Sequence, residues 1–386
     1  MVEPIISATG VFAVDVLNIK KRKKTMKNKL KNKFTSFALV ISISTLASSA
    51  FALTDKEQLG KMLYFDTNLS QPAGQACASC HTPEAGFADP DTNLPVSEGV
   101  IPGRFGGRNS PAAAYASFSP VFSYSGNSAV GGQFWDGRAA DLVEQAKGPF
   151  LNPVEMNNPD MASVVTKVQA SAYSALFQQV YGVDAFASVE LAYHNIADAI
   201  ASYEGSTEVN QLSSKYDFAQ AGQASLTQLE RRGEKLFNGR GKCSKCHATN
   251  TNTGGAKRAN TPELFTDFTY HNLGLPKNTE FPLQDNPVDY GLGAILGIAR
   301  ENGKFKTPHL RNIALTPPYM HNGLLKTLKE VVHFYNTRDI PGLWAAPEVP
   351  ENVETALVGN LGLTDAEEDA IVAFMMTLTD GYTPAP

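Results

Sequence analysis

Apolar residues return at helical spacing along most of this chain, and the alternation that marks a half-buried strand is sparse. The pattern predicts helices over 55–63, 141–148, 160–173, 189–203, 227–237, 328–335 and 364–378. Two of them open with a capping box, Thr227 with Glu230 and Thr364 with Glu367, in which hydroxyl and carboxylate each satisfy a backbone N–H of the first turn. Between the helices run Gly-, Pro- and Asn-rich stretches, notably 102–111 and 249–255, long enough that something other than core packing must order them.

A weak repeat runs through this pattern. DKEQLGKMLYF, which holds Gly60, and QLERRGEKLFN, which holds Gly233, each lead through an apolar-aromatic pair and a loop to a pair of cysteines. Two copies of one helical module account for it, with a seam in the polar, Ala- and Gln-rich 206–223. At 386 residues the chain has the length for two domains with separate cores. Its 42% apolar and 18% charged residues exclude fibrous and disordered classes.

From Met26 the chain reads as a basic segment, an apolar run at 37–46 and an Ala50-Phe51-Ala52 cleavage site, which is an export signal. The run is too short for a transmembrane span. Residues 1–25 precede this second Met without any such logic, as a mis-assigned start would, and the mature chain is expected to begin near Leu53. Loss of 1–52 removes nine Lys/Arg and two Asp/Glu and leaves 24 basic against 36 acidic side chains, a formal charge of −12. That argues against nucleic acid and suits a basic soluble partner.

All four cysteines fall in two Cys-x-x-Cys-His units, Cys77-Cys80-His81 and Cys243-Cys246-His247. Two thiols at this spacing form thioethers to the two vinyl groups of a haem while the adjacent His ligates its iron. A disulfide within each pair leaves both histidines unexplained. A shared zinc site would have to gather ligands across about 160 residues, and thioredoxin-like chemistry wants a βαβ context that is absent. The expected protein is therefore mainly α, with two cytochrome c-like haem domains at 53–212 and 213–386 and long ordered loops. It would carry two covalently bound c-type haems and work in the periplasm or at the cell surface. The C-terminal helix, which resembles the closing helix of a c-type cytochrome, could also pack back onto the first domain.

The stretches GGQFWDGRAADLVEQAKGPFLNPVEM, GRNSPA, KFKTPHLRNIALTPPYMHNG and TLKEVVHFYN resemble the bacterial di-haem cytochrome c peroxidase family. Its other well-known branch is MauG, which matures the tryptophan-derived cofactor of methylamine dehydrogenase. The resemblance covers the chain after its leader. It implies that Trp135 relays electrons between the haems, and that Glu155 and Gln145 project over the open face of the first, in a pocket shaped by Pro149. It also implies a calcium held by Asn109 and by the carbonyls of Thr316 and Pro318. By residue type alone Trp135 reads as core, Glu155 and Gln145 as solvent-exposed, and the calcium set as ordinary loop. Splitting a peroxide asks for a group that carries a proton from one oxygen to the other, which suits the Glu155 carboxylate. Gln145, both donor and acceptor, can orient peroxide or water. Arg311 is a propionate partner by its charge.

Many family peroxidases cap the first iron with a His from the loop before the Trp, but residues 82–134 here hold neither His nor Met, so the first haem is expected open. At the second haem the electron-transfer peroxidases place a Met fourteen residues after the His of Pro-Tyr-x-His, and the count from His321 reaches Tyr335. This is the MauG-like choice, an anionic hard donor that favours oxidised iron. His333 and Met320 are rival ligands, although His333 points about 200° away from Tyr335 on a helix. His194, His271, His309 and His321 receive no haem role. Three functions stay open. Hydrogen peroxide could be reduced with electrons from a small cytochrome c or cupredoxin, a Trp or Tyr on a partner protein could be oxidised, or the chain could be a di-haem electron carrier. Family members often form homodimers.

Overall fold

Residues 52–248 and 262–384 are described by a computed structural model, and they are mainly helical. The leader's apolar run and the 249–255 stretch lie outside them. In chain order the helices are α1 Asp55–Tyr64, α2 Cys77–Cys80, α3 Leu142–Leu151, α4 Met161–Gln169, α5 Ser174–Tyr181 and α6 Val189–Glu204. They continue with α7 Lys215–Gln220, α8 Gln228–Asn238, α9 Leu292–Leu296, α10 Leu328–Thr337 and α11 Asp365–Met376. Strand β1 Ser123–Ser125 pairs antiparallel with β2 Ser128–Val130, with Tyr124 opposite Ala129. Strand β3 Tyr270–His271 pairs with β4 Phe305–Lys306, and a single bridge from Val130 to Thr269 links the two pairs. No described helix is long and apolar enough to cross a membrane.

The seven expected helices are present, and the Thr227–Glu230 capping box forms in full, while at Thr364 the Glu367 carboxylate accepts from the N–H and hydroxyl of Thr364 and the Glu367 N–H goes to Thr364 O. The 160–173 prediction runs too far. The Ala170 N–H still makes a helical bond to Thr166 O, but the Ser171 N–H and Oγ both donate to Val168 O, three residues back, and α5 starts afresh at Ser174. The polar seam is also more structured than its composition indicates. Ser214 and Asp217 cap α7 reciprocally, and Tyr216 is buried in the second core.

The repeat is one helix crossing built twice. Helix α1 packs on α6 and α8 packs on α11. A Cβ at Gly60 would lie 1.9 Å from Ala199 O and 2.9 Å from Tyr203 Cβ, and one at Gly233 would lie 1.8 Å from Ala370 O and 2.9 Å from Phe374 Cβ. Only glycine lets the backbones meet this closely. The C-terminal helix thus closes against α8 rather than against the first half. One hydrophobic core gathers Leu59, Leu63, Tyr64, Ile196, Ile200 and Tyr203, and another gathers Phe237, Phe265, Phe334, Ile371 and Phe374. Leu264 and Phe268 nevertheless join the first core from the second half of the chain, and the described residues form one compact unit.

Candidate active site

Both Cys-x-x-Cys-His units open onto one cavity of about 650 Å³. At the first end, α2 is a single turn whose three-residue spacing sets Cys77 and Cys80 on one face. The His81 N–H closes the turn on Cys77 O at 3.0 Å, as the His247 N–H does on Cys243 O at 2.8 Å. Each imidazole is then aimed in the same way. His81 Nδ1 donates to Phe87 O at 3.3 Å and His247 Nδ1 to Phe265 O at 2.9 Å. Phe87 and Phe265 both hold left-handed backbone, with φ of 62° and 58°, a conformation that costs a non-glycine residue about 1–3 kcal/mol and persists only where its surroundings enforce it. With Nδ1 donating, Nε2 carries the lone pair a metal needs. Burial lowers both imidazole pKa values, which favours that neutral form.

The two ends differ in what else they present. Around the first stand Gln145 and Pro149 from α3, with Asn152 and Glu155 just beyond it. Asn152 Nδ2 donates to Glu155 Oε1 at 2.8 Å. Burial raises the Glu155 pKa above its ordinary 4.5, opposed by the Asn152 bond and by the Arg138 charge. Pro149, inside α3, has no N–H for the carbonyl of Gln145 four residues back. Around the second end stand Tyr335 and Leu328 from α10 and Ile371 and Met375 from α11. Burial pushes the Tyr335 hydroxyl pKa well up. His333 is half-exposed and turned away, its Nδ1 bonded to Glu368 Oε1 at 3.0 Å, and it does not line the cavity. Met320 borders the cavity while packing on the second core.

Trp135 lies on the wall as well, in a turn held from three sides. Its Nε1 donates to Asn109 O at 2.8 Å, and its carbonyl accepts from Lys306 N at 2.8 Å. The neighbouring Asp136, 2% exposed, is paired with Arg108 and Arg138, and Arg108 also grips Asp289 through two bonds of 2.6 and 2.8 Å. Asn109, Thr316 and Pro318 border the cavity, and Asn109 donates its Nδ2 to Pro95 O at 3.2 Å. Arg311, expected to meet a propionate, does reach the wall, but its Nη1 lies 2.6 Å from Asp217 Oδ2, so its charge already has a partner.

Sequence reasoning passed over several lining residues. His309 and His321 are on the wall, each with one ring nitrogen buried and without a hydrogen-bond partner. Lys306 is there too, and burial lowers its pKa to about 8. So is Glu204, whose position four residues after Ile200 on the apolar stripe of α6 was the available signal. Cys246, Asp267 and His271 come within 4.8 Å of one another, but a thioether at Cys246 would take up its sulfur and leave no separate cation site.

The donors present fit two covalently held haems: two thiols and one carbonyl-anchored imidazole at each end of one void, with an indole on the wall. Such a set defines a c-type di-haem oxidoreductase. The sequence profile of the di-haem cytochrome c peroxidase family matches residues 54–225. MauG of Paracoccus denitrificans is 40% identical over 345 residues, 83% of this chain and 88% of that protein. The cytochrome c551 peroxidase of Pseudomonas aeruginosa is 32% identical over 299 residues, 77% and 76% of the two chains. Among solved structures, the diheme peroxidase BthA of Burkholderia thailandensis aligns with a TM-score of 0.77 at 34% identity, covering 86% of this chain and 87% of that one. The chain belongs to the di-haem cytochrome c peroxidase and MauG family.

Proposed function

We propose that this protein reduces hydrogen peroxide at the haem held by Cys77, Cys80 and His81, with oxidising equivalents shared with the second haem through Trp135. The observation that carries this reading is the carboxyl of Glu155 on the cavity wall around the first motif, in a chain with no His or Met in 82–134 to close that site. When bound, the haem supplies an iron position for peroxide and a store of oxidising equivalents. Asn152 holds Glu155 Oε1, which leaves Oε2 to take a proton from one peroxide oxygen and deliver it to the other. Gln145 orients the peroxide, and Pro149 keeps that face narrow. Turnover of peroxide with a reduced small cytochrome c or cupredoxin tests the reading directly. The leader and the covalent haem attachment support a periplasmic site of action. Asn109 Oδ1 and the carbonyls of Thr316 and Pro318, residues that border the cavity, would supply the oxygen donors for the calcium that the family resemblance implies.

Tyr335 favours a second reading, in which the equivalents leave to oxidise a Trp or Tyr of a partner protein, as in MauG. An apolar wall keeps a phenol protonated, and binding to iron is what would strip that proton. Tyr335→Phe is expected to abolish the low-spin spectrum of the second haem, while His333→Ala leaves it in place. Electron paramagnetic resonance of the oxidised protein distinguishes the two, and persistence of the low-spin signal in Tyr335→Phe removes Tyr335 as ligand.

A further inference from the structure

We propose that Glu204 is a proton site coupled to the redox state of the first haem, binding a proton when that haem gains an electron and releasing one when it loses it. The idea depends on haem attachment at Cys77 and Cys80 and not on the peroxide reading.

Glu204 ends α6, where the helix has been pressed onto α1 by the Gly60 crossing. It is 6% exposed, lines the cavity, and its Oε2 is buried without a hydrogen-bond partner. A buried carboxyl in this state is costly unless it is neutral or something nearby compensates it. The titratable groups that face it are Tyr64 from α1, Cys77 from α2, and Tyr203 of its own helix, with Glu155 acting on Cys77 and Cys80 from another part of the wall. None of these is a cation. The cations of the packed helices are engaged elsewhere: Lys56 of α1 with Asp198, Lys61 of α1 with Glu208, Lys147 of α3 with Glu144, and Lys167 of α4 with Ser70 O and Asn158. Burial alone raises the Glu204 pKa, to about 8.

A negative charge in a dry site favours the more positive state of a nearby iron, so an ionised Glu204 lowers the reduction potential of the first haem. By reciprocity the added electron raises the proton affinity of the carboxylate. The electron comes from the donor and the proton from solvent, so the charge inside the cavity is unchanged by the pair. Thiols carried into thioethers lose their own titration, which leaves two carboxyls beside that edge, Glu155 with its bond from Asn152 and Glu204 with a buried oxygen that has no partner.

Potentiometric titration of the full holoprotein without peroxide, following each haem separately between about pH 6 and 9, tests this. The first-haem potential is expected to fall as pH rises, towards a tenfold change in equilibrium constant per pH unit, 59 mV for one electron. In Glu204→Gln that slope disappears while the second haem is unchanged. Equal slopes in the two proteins, or a flat profile in the wild type, overturn the proposal. Should the variant fail to mature, the infrared difference spectrum of the wild type on reduction decides instead. A protonated-carboxyl band that appears on reduction and survives in Glu155→Gln supports Glu204, and absence of such a band removes it.

Discussion

Glu155→Gln is expected to slow the reaction with hydrogen peroxide by about 10²–10⁴-fold, the span attributed to a positioned proton-transfer group, with both haems still attached. The exchange is close to isosteric. The Gln oxygen still accepts the 2.8 Å bond from Asn152 Nδ2, so the loop geometry survives while the group loses its capacity to carry a proton. The pH profile adds a second signature. Glu155 accepts a proton only when ionised, and burial holds its pKa above 4.5. The wild-type rate therefore climbs with pH along a limb displaced upward from the ordinary carboxylate range, and in Glu155→Gln that limb is gone. Stopped-flow absorbance across the acidic range reads both effects. Unchanged rates and an unchanged limb would exclude Glu155 from proton transfer.

The largest expected loss of stability comes from a methyl group. Gly233→Ala puts a Cβ 1.8 Å from Ala370 O, a backbone atom that cannot swing aside, so α8 and α11 must separate along their crossing. Overpacking of this kind costs about 3 kcal/mol, the upper part of its usual range, and should lower the thermal midpoint by roughly 6–12 °C. Because α8 leads into Cys243, attachment of the second haem should fall with it. Gly148→Ala in α3 is the control, since its Cβ would meet nothing nearer than Phe134 Cζ at 3.6 Å. Alanine is the better helix former there by about 1 kcal/mol. Thermal scans and haem stain of the two variants make the comparison, and equal midpoints would show that the crossing relaxes freely.

Much of the framework could be read directly because it rests on local chemistry. A capping box is satisfied within four residues, and Thr227 with Glu230 forms wherever α8 is placed. The Cys-x-x-Cys-His units likewise close on themselves through the bond from the His N–H to the first Cys carbonyl. The repeat marks Gly60 and Gly233 as equivalent positions, but only the structure shows that each meets a helix backbone, at Ala199 and at Ala370. The end of α4 is set by Ser171, whose N–H and hydroxyl both turn to Val168 O, a local competition that the apolar spacing over 160–173 does not show.

By itself, the sequence determined the number of haem attachment units, the ligand each one offers, the helical class and the repeated module. Each of these depends on residues a few positions apart. Tertiary structure alone decided which side chains face the shared void. It turned Tyr335 inward and tied His333 to Glu368, set Asp217 against Arg311, clamped the Trp135 turn through Arg108 and Asp289, and left Glu204 Oε2 without a hydrogen-bond partner. Those outcomes follow from contacts between residues tens to hundreds of positions apart, where burial and the nearest opposite charge, rather than residue type, fix what a side chain can do.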